Sequence, residues 1–95
     1  IAILECQFKP EHAEAGTEWL KRVLVATRAF EGCLGVEVIQ DHEDPARLLA
    51  VEHWASLEHD RAYRAWRAGE GRAQGGADLL AGPMKLTVGL ICDDI

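Results

Sequence analysis

The sequence is poor in the features that mark several large function classes. It holds three cysteines, Cys6, Cys33 and Cys92, an odd number with no C-x-x-C pair. That argues against a disulfide scaffold and fits reduced thiols in the cytosol. No apolar run approaches the roughly 18 residues of a membrane helix. The first residues read as a strand and lack the basic start of a signal peptide. A soluble, cytoplasmic protein with no membrane partner is therefore expected. There is no basic tract either: 10 Lys and Arg face 16 Asp and Glu, a net charge of −6. Nucleic-acid binding depends on neutralising phosphates with basic side chains, so no nucleic-acid partner is expected. The one arginine-rich stretch, Arg61, Arg64, Arg67 and Arg72, is interleaved with Glu58, Asp60 and Glu70. It reads as a solvated helix face. No H-E-x-x-H and no Cys/His cluster is present, so no metal site is expected. The glycine-rich run Gly69 to Gly76 is not followed by the Lys-Ser or Lys-Thr of a phosphate loop. It reads as a linker, or as a lid over a pocket.

What remains is an ordinary globular composition, 48% hydrophobic and 27% charged over 95 residues. That is one domain, residues 1–95, with no internal repeat or low-complexity segment. Its single core must be thin, and a second copy is a natural way to bury more apolar surface.

Residues 1–9 read as a strand, with Leu4, Cys6 and Phe8 on one face and Glu5 and Gln7 on the other, ended by Pro10. Residues 11–30 read as a helix, with Trp19, Leu20, Val23, Leu24, Thr27 and Phe30 at helical spacing. Glu18 and Arg22 stand four apart on it, a favourable ion-pair spacing, and Gly32 stops it. Residues 34–41 and 47–54 read as a hairpin across an acidic turn containing Pro45. Ser56 suits the N-cap of a second helix over about 57–68. A short helical piece near Ala77–Leu80 and a strand over 84–91 complete the chain. The order β-α-β-β-α-β is the ferredoxin-like α+β arrangement, a four-stranded antiparallel sheet with helices on one face. The uncovered face predicts a sheet-to-sheet homodimer.

Three segments carry a resemblance: Gly32-Cys33-Leu34-Gly35-Val36, the acidic turn Asp41 to Arg47, and Val51-Glu52-His53-Trp54-Ala55-Ser56. The chain resembles the antibiotic biosynthesis monooxygenase family over nearly its whole length. Muconolactone isomerases and stress-responsive barrel domains share the architecture with weaker motif agreement. The resemblance implies a dimeric α+β barrel with an apolar pocket between sheet and helices. It also implies oxidation of a quinol, anthrone or similar phenolic aromatic by molecular oxygen, with no metal or flavin cofactor. Family members that degrade haem carry a histidine on the second helix. Tyr63, between Ala62 and Arg64, stands here instead.

Such chemistry needs a dry pocket, a proton acceptor and donors to a phenolate. Trp54 reads either as a pocket wall offering its indole N–H or as a core or interface tryptophan. Tyr63 reads as a phenolate partner or as a packing residue with its hydroxyl at the surface. His53 suits a general base, and by strand alternation it points opposite Trp54. Trp66 and Arg67 share the face of Tyr63, where Arg67 can meet an anionic substrate or simply be solvated. Trp19 reads as core. His12, His42 and His59 read as surface residues, and Cys33 and Cys92 as small packing residues. Two other functions fit the same pocket: a non-catalytic dimer binding a small apolar ligand, and a cyclase or isomerase with His53 as its base.

Overall fold

The computed structural model describes residues 1–95. Strand β1 (Ala2–Gln7) leads through a short 3-10 turn (Pro10–His12) into helix α1 (Ala13–Ala29). Strands β2 (Cys33–Gln40) and β3 (Arg47–Trp54) form the hairpin, followed by α2 (Leu57–Ala68), a second 3-10 turn (Ala77–Leu79) and β4 (Lys85–Val88). The sheet order is β2-β3-β1-β4 with every neighbour antiparallel. This is the expected ferredoxin-like α+β fold. β3 and α2 have the expected bounds. Strand β4 is four residues long, shorter than the expected 84–91. No helix is long and apolar enough to cross a membrane.

Register decides which side chains meet the helices. Leu4 stands opposite Ala50 and Leu86, Cys6 opposite Leu48, and Val38 opposite Ala50. Directly opposed residues share a face. These side chains therefore lie with Glu52 and Trp54 on the helix side, and Ile3, Ile39, Leu49, Val51 and His53 lie on the other. The core forms where α1 covers the sheet: Phe8, Leu20, Leu24, Leu48 and Ala50 are buried, and the Phe8 ring meets Trp19 edge-on at 6.2 Å. A buried Leu or Phe stabilises by about 1.5–3 kcal/mol. Only 16 of the 95 residues are buried, so the core is thin and one sheet face is bare. Ile39 on that face is more than 40% exposed; so are Val38, Leu86 and Val88 on the helix side, at the sheet's two edges, and Leu90 and Ile91 beyond β4. Glu18 and Arg22 form no ion pair, in contrast to the spacing-based expectation; the short carboxylate contacts go to Arg47, His53 and Arg64.

The hairpin turn is an acid-built clip. Asp41 Oδ1 accepts from the backbone N–H groups of Glu43 (2.8 Å) and Asp44 (3.2 Å), and Oδ2 accepts from Arg47 at 3.0 Å. Arg47 also reaches Glu5 on β1 at 3.1 Å. The backbone N–H of Glu43, then Arg47, hold the Asp41 carboxyl below its ordinary 3.8. A carboxyl depressed on folding stabilises above its unfolded pKa, and that contribution fades as pH falls through the folded value. Asp41→Asn should therefore lower the melting temperature at neutral pH. The gap to the wild type should shrink as pH falls below 3.8, which a pH series of thermal melts checks.

Gly16 sits inside α1 and is buried against the flat of the Phe8 ring, closer than a Cβ could approach. Ala normally gains about 1 kcal/mol over Gly in a helix interior. Here overpacking, at about 1–3 kcal/mol, should win. Gly16→Ala is expected to destabilise, measured as a lower urea midpoint, whereas an exposed helical Gly would show a gain.

Candidate active site

Helix α2 begins at Ser56, whose hydroxyl accepts from the His59 backbone N–H at 3.2 Å and also meets His59 Nδ1 at 2.7 Å. From that cap, Asp60, Tyr63, Arg64 and Arg67 recur at three- and four-residue steps and turn toward the sheet and α1. The inward stripe of α2 is thus polar and aromatic rather than aliphatic. Asp60 and Tyr63 are buried, and Arg64 and Arg67 are half-buried. This corrects the expectation of a solvated arginine face: Arg61 and Arg72 are exposed, but the two arginines between them point inward.

The partner awaiting Arg64 is Glu52 on β3, which is 1% exposed. Arg64 donates to Glu52 Oε1 and to Asp60 Oδ1, the latter at 3.2 Å through Nε. The Trp54 indole N–H also donates to Glu52 Oε1, at 3.1 Å. Two carboxylates share one guanidinium, and Glu52 Oε2 has no hydrogen-bonding partner. One turn further along, Tyr63 and Thr27 hydroxyls meet at 2.7 Å, both buried. Arg67 donates to the Tyr63 oxygen at 2.7 Å, to Thr27 Oγ1 at 3.1 Å, and to the carbonyls of Val23 (2.8 Å) and Gly71 (3.0 Å).

Above these networks lies an aromatic cluster. Tyr63 stacks on Trp54 at 4.9 Å and meets Phe30 edge-on at 5.3 Å, and Trp66 lies 5.3 Å from Phe30. The structure therefore brings together Trp54, Tyr63, Trp66 and Arg67 of the residues singled out in the sequence. It does not bring His53. That imidazole lies on the opposite face of the sheet, against Glu37 at 3.3 Å. The Trp54 N–H is taken by Glu52, and the Tyr63 hydroxyl is buried rather than at the surface.

Beside the networks is a cavity of about 490 Å³. It arises because α1 and α2 leave the β1/β4 side of the sheet uncovered. Leu4, Leu86 and Met84 form its sheet side, Trp19 and Leu20 its α1 wall, and Tyr63, Arg64 and Arg67 its α2 wall. Residues 69–80 close its far side. They are pinned, because the Trp19 indole N–H donates to Gln74 O at 2.7 Å and Gly71 and Gly76 pack flush on the rings of Trp66 and Trp19. Trp54 lines a separate cleft of about 100 Å³ with Ile1, Asp60 and Leu90.

Trp19 belongs to both core and cavity, while sequence reading placed it in the core alone. Arg64 and Arg72 as cavity residues were also missed. The available signal was the Asp60-Arg64 spacing combined with Glu52, an acid at an inward position of β3. Cys6 is fully buried, and burial, followed by the Glu52 charge, pushes its thiol up to about 11, so it remains protonated and unreactive. Cys92 is exposed and packs against nothing that buries it, unlike the packing role expected of it. No three His, Cys, Asp or Glu side chains gather as metal ligands.

Tyr63→Phe removes one oxygen from a chain in which Thr27 and Arg67 depend on it. Leaving buried partners unsatisfied costs about 1–3 kcal/mol. The variant should fold but unfold at lower urea, and Thr27→Val combined with it should cost less than the sum of the two single changes.

The profile of the antibiotic biosynthesis monooxygenase family matches residues 1–74. No curated protein matches the chain. Among solved structures, a protein from Mycobacterium tuberculosis is 25% identical, with 97% of this chain and 93% of that chain covered and a TM-score of 0.78. A Pseudomonas aeruginosa protein is 26% identical, with 95% and 92% covered and a TM-score of 0.71. A structure described as an antibiotic biosynthesis monooxygenase has a TM-score of 0.77 with 96% and 97% covered; at 16% identity it speaks for the fold alone. With a profile spanning most of its length and a fold shared end to end with these structures, the chain belongs to the antibiotic biosynthesis monooxygenase family.

Proposed function

We propose that this protein is a cofactor-independent monooxygenase that oxidises a quinol, anthrone or similar phenolic aromatic with molecular oxygen, and that the cavity beside Tyr63 is its substrate pocket. One observation carries the reading. The cavity is walled by aliphatic and aromatic side chains, and its few polar groups, Tyr63, Arg64, Arg67 and Arg72, converge from one side. Its volume, about 490 Å³, suits a two- or three-ring aromatic. Family membership supplies the reaction class.

The chemistry asked of the protein is modest. A phenol that gives up its proton to water at the open side of the cavity becomes electron-rich enough to reduce oxygen. Guanidinium groups at the cavity wall favour the phenolate, and the apolar walls exclude water from the intermediates. For an anthrone, the methylene loses two C–H bonds and becomes a carbonyl. One atom of oxygen enters the ring carbon, the other leaves as water, and the four electrons come from the substrate. Arg67, whose partners are all neutral oxygens, is the group that favours the phenolate. Trp54, through Glu52, holds Arg64 in place. Trp66 flanks Arg67, 4.8 Å from its guanidinium, and steadies it.

The bare sheet face fits a homodimer, in which Ile3, Ile39, Leu49 and Val51 meet their counterparts. His53 then belongs to the interface and not to its own protomer's cavity. A proton-transfer lyase or isomerase built on His53 has its base on the far side of the sheet. A second reading, a non-catalytic ligand-binding dimer, is favoured by one fact: the Trp54 N–H and the Tyr63 hydroxyl both already have partners within the fold.

Oxygen uptake by chelator-treated protein over hydroquinones, dihydroxynaphthalenes and anthrones separates the two. Uptake that survives chelation and falls about a hundredfold or more in Arg67→Gln, roughly the weight of one charge-stabilising donor, is expected of the oxygenase. Ligand-induced thermal stabilisation with no uptake across the panel would establish the binding module instead.

A further inference from the structure

The cavity's arginines are not alike, and the difference bears on what the pocket holds. Arg64 is neutralised by Glu52 and Asp60. Arg67 is not. Four of its five N–H donors are taken by neutral oxygens, those of Tyr63, Thr27, Val23 and Gly71, and no carboxylate lies within salt-bridge reach. A half-buried guanidinium with every bond to a neutral acceptor keeps its full charge, in surroundings that screen it poorly.

Two more arginines share its side of the fold. A groove of about 250 Å³ adjoins the cavity, and the two have Trp19, Val23, Arg67, Arg72 and Ala73 in common. Arg22, on α1, lines the groove's outer side. Arg72 donates only to the Ala68 carbonyl, at 3.2 Å. Neither Arg22 nor Arg72 has a salt bridge, for the five close carboxylate contacts of the protein go to Arg47, His53 and Arg64. In a chain with 16 acids and a net charge of −6, three guanidinium groups without a carboxylate partner line the apolar cavity or the groove that adjoins it, Arg67 and Arg72 both of them and Arg22 the groove. Lys21 and Arg28, also without a carboxylate partner, border a separate and smaller cleft of about 300 Å³ that lies away from Tyr63.

We infer that the natural ligand is an aromatic that carries an oxyanion besides its phenol, a carboxylate or a group of like charge and shape. Its apolar rings occupy the cavity against Leu4, Leu20 and Leu86. Its oxyanion sits at the rim, between Arg72 and Arg22 and within the field of Arg67. Guanidinium groups suit this task because their planar forks match the two oxygens of a carboxylate. The charge also steers an anion to a positive mouth on an otherwise acidic protein. This inference rests on the cavity being the ligand pocket.

The test uses two probes of one skeleton, 8-anilinonaphthalene-1-sulfonate and the uncharged N-phenyl-1-naphthylamine, titrated by fluorescence into the intact protein. Arg22→Gln, Arg72→Gln and their double variant are compared with the wild type. Both positions are exposed, so folding is spared. Leu86→Trp, on the exposed strand β4, fills the cavity as a control. The sulfonate should bind about tenfold more tightly than the neutral probe, each single variant should lose about threefold to fivefold of the sulfonate affinity, as for one charge-assisted contact at a wet rim, and the neutral probe should be unaffected. Leu86→Trp should weaken both. Equal affinities, or a sulfonate preference that survives in the double variant, would overturn the oxyanion while leaving an apolar pocket in place. Failure of both probes to bind, or indifference of both to Leu86→Trp, would remove the pocket itself, and the proposed function with it.

Discussion

The guanidinium of Arg64, held between Glu52 of β3 and Asp60 of its own helix, fastens α2 to the sheet, and the pocket follows from that attachment. α2 has few aliphatic side chains on its inner face. Packing alone would hold it weakly, because burial of a Leu-like side chain is what usually stabilises a helix on a sheet. In its place the helix offers a charge that must be answered. An ion pair buried in this way adds little net stability, but removing one partner costs about 3–5 kcal/mol because the other is left stranded. Glu52 is 1% exposed, whereas the Arg64 side chain keeps 24% of its surface. The outer side of this strut is the cavity wall. One interaction thus positions the helix and also paints the pocket's polar side.

A second layer of the same logic runs through Tyr63, Thr27 and Arg67, which tie α2 to α1. The aromatic cluster of Phe30, Trp54, Tyr63 and Trp66 lies over both layers. Offset and edge-on aromatic contacts are each worth about 0.5–1.5 kcal/mol beyond area. They shield the polar bonds from water, and low local polarity strengthens those bonds in turn. The helix–sheet junction is therefore a polar centre with an aromatic cover, the reverse of an oil-like core.

The parts of the fold that depend on period and punctuation could be read in the sequence. β3 and α2 stand where alternation and the Ser56 cap place them, and Leu4, Cys6 and Phe8 share a face as their spacing requires. The tail was harder. Residues 84–91 are apolar enough for a strand of eight, but only four of them, Lys85–Val88, are paired, with Ala2–Glu5 of β1. The site was legible in part. Trp54, Tyr63, Trp66 and Arg67 could be grouped by helical and strand spacing. The inward turn of Arg67 could not be read, because it carries the same solvated-looking pattern as Arg61, and for Arg64 the one hint was its spacing from Asp60 together with Glu52 on β3. Only the tertiary partners, Glu52 from β3 and Thr27 from α1, separate them, and those sit 12 and 40 residues away in sequence.

The glycine-rich segment from Gly69 to Gly76 has a consequence for how molecules come and go. Its composition suggests a swinging flap. Its anchoring is that of a fixed partition, with Gly71 pressed on Trp66, Gly76 pressed on Trp19, and Gln74 O tied to the Trp19 indole. The cavity stays open along Met84 and Leu86 at the sheet edge and toward the groove it shares at Arg72. For a ligand of the proposed pocket, openings that never close impose no gating step, so capture would be governed by collision frequency and by the shedding of solvent at the threshold. Selectivity in such a chamber is static. It resides in the shape of the opening and not in a conformational choice made after arrival.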